Sequence, residues 1–175
     1  MNNDWRLSTF NGALVASYFI PSWTGAALKI WSAPVRGLYD RVNVAPALLV
    51  SDYLDLSGIQ MVRFAWLLAL SKLTVVAFFA IFLLLIVRVS ARRSGICDEA
   101  LAFALLFGAV ISMASLLAAR QVGEFSALRL HASETLMFVS AAILLIVDGK
   151  SATKSAPVAP TKRTRKIFPF GRSQT

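Results

Sequence analysis

The sequence predicts an all-α, multi-pass helical membrane protein, and three observations predict it. Of 175 residues 57% are apolar and only 15% charged, whereas soluble domains carry about a quarter charged residues. The apolar residues gather in long runs rather than in amphipathic stripes. Lysine and arginine, by contrast, collect in one link between runs and in the C-terminal tail.

The N-terminal region, residues 1–62, is expected to be membrane-associated. Arg6 followed by the apolar stretch 14–20 has the outline of a signal peptide, but Asn11, Gly12 and Ser17 interrupt it and no cleavage site follows. It is therefore read as retained. Residues 10–31 are apolar yet hold Asn11, Gly12, Pro21, Gly25 and Lys29, which leaves two readings open. Either the segment crosses as a fourth span or it lies at the interface. In the interfacial reading Trp23, Ala27, Ile30, Trp31, Leu38 and Val42 form an apolar side, and Lys29, Arg36, Asp40 and Arg41 a polar one. Ser32 and Pro34 would mark a bend, and the aromatic and basic interleaving favours the interfacial placement. Pro46 is expected to open a short apolar helix carrying Asp52 and Asp55, closed by a turn at Ser57 and Gly58.

Residues 63–147 form the expected transmembrane domain, with spans near 64–87, 100–119 and 125–147. The first is broken only by Ser71, Lys72 and Thr74 and is long enough for a hydrocarbon core of about 30 Å at about 1.5 Å per residue. The second follows Asp98 and Glu99 and precedes Arg120. The third reaches membrane thickness only if it begins near Phe125, which puts Arg129, His131 and Glu134 in its hydrated first turns. Residues 148–175 change to Ser, Thr, Ala, Pro and Lys and are expected to be a disordered basic tail.

Orientation follows from the distribution of cations near the span ends. Arg88, Arg92, Arg93, Lys150, Lys154, Lys162, Arg163, Arg165 and Lys166 lie on one side, against Arg63, Arg120 and Arg129 on the other. The C-terminus is accordingly expected in the cytoplasm of a plasma membrane or bacterial inner membrane.

Three groups of residues invite a functional reading. Ala100, Ala104, Gly108 and Ser112 recur at every fourth position of the second span, a spacing that lets helix backbones approach closely in lipid. Lys72 is an ionisable group inside a span; it either snorkels to the outer interface or pairs with Glu134 on the same side, and a proton pathway is the sharper alternative. In the tail, Lys162, Arg163, Arg165 and Lys166 adjoin Phe168 and Phe170, a composition suited to anionic headgroups at about 1 kcal/mol per cation.

One cysteine, Cys97, and one histidine, His131, exclude an intrachain disulfide, a multi-cysteine metal site and a two-histidine haem or protease motif. His131 and Glu134 share a helix face but make a poor metal site on their own. There is no nucleophile beside a base and no phosphate-binding glycine loop. The expectation is a protein without enzymatic activity or cofactor. It would be an accessory, scaffold or assembly subunit that meets a membrane partner or its own copies through the small-residue face, with no nucleic acid bound. A pore or transporter component, including a holin-like oligomer, is the alternative.

Overall fold

The computed structural model describes residues 6–32, 41–88, 90 and 95–154, and these form five helices: α1 (Leu7–Ser32), α2 (Arg41–Leu54), α3 (Gly58–Val87), α4 (Ile96–Val122) and α5 (Phe125–Lys154). Three of them, α3, α4 and α5, are long and apolar enough to cross a membrane. Each starts or stops where the chain supplies a local signal. Ser57 precedes α3, and the Gln60 side chain accepts from the Ser57 backbone N–H at 2.9 Å, satisfying one of the donors a helix start leaves open. Gly95 and Gly123 flank α4 with φ of 79° and 77°, a left-handed conformation that glycine adopts without strain. The N–H of Glu124 then bonds the Ala119 carbonyl at 3.0 Å, and the chain turns directly into α5.

The four long helices run up and down in an antiparallel bundle. Gly12 near the start of α1 lies against Phe82 and Leu101, whereas Ala27 and Ile30 near its end pack with Ala65 and Ala69 at the start of α3. α1 therefore lies alongside α3, head to tail, over most of its 26 residues, about 39 Å at 1.5 Å per residue. Two polar contacts fasten its beginning. Arg6 pairs with Asp98 of α4 at 3.0 Å, and the Asp148 carboxylate of α5 accepts from the Ser8 N–H at 2.7 Å, a favourable place for negative charge at a helix start.

The core is aromatic. Phe19 stacks on Phe138 at 4.1 Å between ring centroids and on Phe79 at 6.2 Å, and Trp23 meets both Phe19 and Phe138 edge-on. Outward, α1 presents Phe10, Leu14, Tyr18, Leu28 and Trp31, and the other long helices present Leu67, Leu84, Phe103, Leu106, Leu136 and Ile143. Apolar side chains thus cover both sides of the bundle wall: the inner set buries itself, and the outer set suits lipid.

α2 closes one end of the bundle. Val44 and Ala47 pack among Ala27, Ile30, Ala65 and Ala69, and Ala45 meets Ala119 and Ala127. Its helix begins at Arg41, five residues before the expected start, with Pro46 inside it. α5 likewise continues past residue 148 to Lys154, since the Asp148 contact to α1 anchors its last turns. The tail residues Lys162, Arg163, Arg165, Lys166, Phe168 and Phe170, and the linker residues Pro34, Arg36, Leu38, Asp40, Arg92 and Arg93, lie outside the described residues.

Candidate functional site

Beneath α2 lies a cluster of polar side chains to which every helix contributes. Glu134 is the centre of it. One carboxylate oxygen, Oε1, accepts from the Trp23 indole Nε1–H of α1 at 2.9 Å. The other, Oε2, accepts from Ser112 Oγ of α4 at 3.3 Å and stands 2.8 Å from His131 Nδ1, one turn earlier on α5. His131 Nε2 in turn reaches the Val42 carbonyl of α2 at 3.0 Å. Lys72 of α3 donates to Asn43 Oδ1 at 3.2 Å, and its ammonium lies over the Trp23 ring, 5.6 Å from the centroid. Thr135 closes the set locally by donating to the His131 carbonyl at 2.7 Å.

The His131 contact has a cause in the covalent structure of α2. In a helix the carbonyl of residue 42 would accept from the N–H of residue 46, but residue 46 is proline and has none. The Val42 carbonyl is left open, and the imidazole supplies its donor. Pro46 is tolerated inside α2 because a side chain from another helix satisfies the group it orphans.

Burial distinguishes this cluster from an interfacial helix start. Lys72 is 1% exposed, His131 1% and Glu134 2%, so the hydrated first turn expected around His131 and Glu134 is replaced by helix packing. The reason is α2, which folds over the bundle end and covers them. Lys72 turns inward to Asn43 and Trp23 rather than along the apolar surface. It and Glu134 both touch Trp23, one over the ring and one at the indole nitrogen; the ion pair described at Glu134 is with His131.

The small-residue stripe is also interior. Ala100, Ala104, Gly108 and Ser112 are all buried, and a Cβ on Gly108 would stand 2.5 Å from the Phe138 ring. The stripe therefore receives α5 of the same chain, and the outer faces of the bundle are what a partner would meet. Two shallow grooves mark those faces, one of ≈ 390 Å³ lined by Trp31, Arg63, Trp66, Leu67, Leu70 and Leu73, the other of ≈ 370 Å³ between α1 and α5 near Tyr18 and Met137. Neither groove includes a residue of the polar cluster.

Sequence reasoning singled out Lys72, His131, Glu134 and Ser112 but missed Trp23, Asn43 and the Val42 carbonyl. Pro46 was the available signal, because a proline within a helix announces an unpaired carbonyl four residues before it. Among the described residues no group of three or more His, Cys, Asp or Glu side chains is placed to hold a metal ion. Set beside protein-family models, curated proteins and solved structures, the chain matches none of them.

Proposed function

We propose that this chain is a non-enzymatic, four-crossing protein of a plasma membrane or bacterial inner membrane, serving as an accessory, scaffold or assembly subunit. The observation that carries the reading is how its interior polar groups are used. Glu134, His131, Trp23 and Ser112 bond one another or the backbone of α2, so they act as fasteners between helices, a role buried polar groups take in lipid. The outward faces are then what remains for contact with other membrane proteins.

Four crossings are supported by α1 running beside α3 for most of its length and by its outward apolar residues. Both chain ends then share a side with the cations around Arg88 and Lys150, and that side is cytoplasmic by the bias of lysine and arginine. On that side, the Lys162, Arg163, Arg165 and Lys166 cations and the two phenylalanines of the tail have a composition suited to anionic headgroups.

A pore or transporter component is the second reading, favoured by a lysine, a histidine and a glutamate buried at one level of the bundle. Reconstitution separates the two. The purified protein in liposomes is expected to pass protons and small ions no faster than protein-free vesicles, while cross-linking in native membranes gives a discrete complex with another membrane protein. Flux that scales with protein content and disappears in Lys72→Met or Glu134→Gln, with helix content unchanged, would overturn the subunit reading.

A further inference from the structure

The hydrogen positions in the cluster can be counted. The Val42 carbonyl only accepts, so His131 Nε2, 3.0 Å away, carries a hydrogen. Glu134 Oε2 lies 2.8 Å from Nδ1, and two lone pairs cannot face each other at that distance, so a further hydrogen lies between them. Whether it sits on nitrogen or oxygen, the pair holds one proton more than a neutral imidazole beside a carboxylate. Among the described residues, the groups that face the pair from the surrounding helices are few. α1 presents the Trp23 indole and α4 the Ser112 hydroxyl, neither of which titrates in the ordinary range. α3 presents the Lys72 ammonium, seated over Trp23 and bonded to Asn43. α2 presents Asn43 and the Val42 carbonyl.

We propose that His131 and Glu134 form a proton-binding site whose occupancy latches α2 onto the end of the bundle. When the proton departs to water, one imidazole hydrogen remains for two acceptors. The carboxylate is the stronger acceptor, so the hydrogen moves to Nδ1 and stays with Glu134. The Nε2 lone pair then faces the Val42 carbonyl, a repulsive contact in place of a bond. Pro46 removes the donor that carbonyl would meet four residues on in its own helix, and a half-buried acceptor that loses its partner is destabilised. What else holds α2 is the Lys72–Asn43 bond and five apolar side chains, Val42, Val44, Ala45, Ala47 and Leu48, so loss of the His131 link shifts α2 toward release. This inference concerns how the bundle end opens, and it does not depend on the subunit role proposed above.

His131 is the only histidine in the chain, which makes the test direct. The full-length protein, labelled with nitrogen-15 histidine and held in lipid nanodiscs, is titrated over about pH 4 to 10, a range that brackets ordinary histidine titration. Imidazole nitrogen shifts report the tautomer, and amide hydrogen exchange, corrected for intrinsic rates, reports α2 against α3. The expected result is a single proton loss after which Nδ1 carries the hydrogen, with α2 exchange rising by up to about tenfold per pH unit through that transition and α3 unchanged. Glu134→Gln supplies the control. An amide at 134 donates to Nδ1 and still accepts from Trp23, so Nε2–H stays on Val42 with no extra proton and α2 exchange becomes independent of pH. The proposal fails if His131 does not titrate, if its deprotonated form keeps hydrogen on Nε2, if α2 exchange is flat in the unmodified protein, or if Glu134→Gln leaves the pH response intact.

Discussion

Trp23 shows how one side chain can serve four neighbours. Its ring packs edge-on against Phe19 and Phe138, its face receives the Lys72 ammonium, and its indole N–H bonds Glu134. Trp23→Phe retains most of the aromatic packing and removes the donor. We expect it to lower stability in detergent or lipid by about 1–3 kcal/mol, the range for a lost hydrogen bond to a buried charged group, while Trp23→Tyr restores little because its hydroxyl lies at a different position. Thermal unfolding of the purified variants checks this, and a loss confined to a few tenths would show that the indole N–H contributes no more than its ring. At this scale the sequence was partly legible. The pairing of His131 with Glu134 is readable from their spacing of three on a helix, but their partners Trp23 and Val42 lie 111 and 89 positions away. Nothing local in the chain encodes such a distance.

Among helices, α4 and α5 come close together where Phe138 lies over Gly108. Gly108→Leu forces the ring aside or the helices apart and should destabilise the isolated protein by about 1–3 kcal/mol, the cost of overpacking a filled core, whether or not any partner is present. Differential scanning of the variant alone measures it; an unchanged midpoint would mean that Phe138 has room to turn. The stripe of Ala100, Ala104, Gly108 and Ser112 was visible in the sequence as a surface for close approach, since spacing by four defines a helix face without reference to anything else. Its partner was not visible, because a packing face looks the same whether it meets its own chain or another. The three apolar spans were legible for a related reason: transfer from water to hydrocarbon depends on composition and length alone. α1 was harder to place, as Asn11, Gly12 and Pro21 dilute its apolar character, and only the bundle shows Gly12 accommodating Leu101.

For the whole molecule, orientation is open to labelling with impermeant thiol reagents on intact cells, in a Cys97→Ala background. Cysteines introduced at Asn2 and at Ser155 are both expected to be protected, and one at Ser126, exposed where α5 begins, is expected to react. Reaction at Asn2 together with Ser126 would return α1 to the interface, and reaction at both Asn2 and Ser155 with Ser126 protected would invert the protein. The Trp23–Glu134 bond has a further consequence for biosynthesis. It joins α1 to α5, and at about 5–20 residues per second the glutamate follows the tryptophan out of the ribosome by roughly 5–20 s. Throughout that interval α1 lacks its fastener to α5, while α3 waits beside it with a lysine in its middle. Until α5 arrives, α1 is held by its packing along α3 and by the Arg6–Asp98 pair, so a chain terminated after α4 is expected to turn over faster in a pulse-chase measurement than the chain that includes α5, and equal lifetimes would show that α5 adds nothing to the retention of α1.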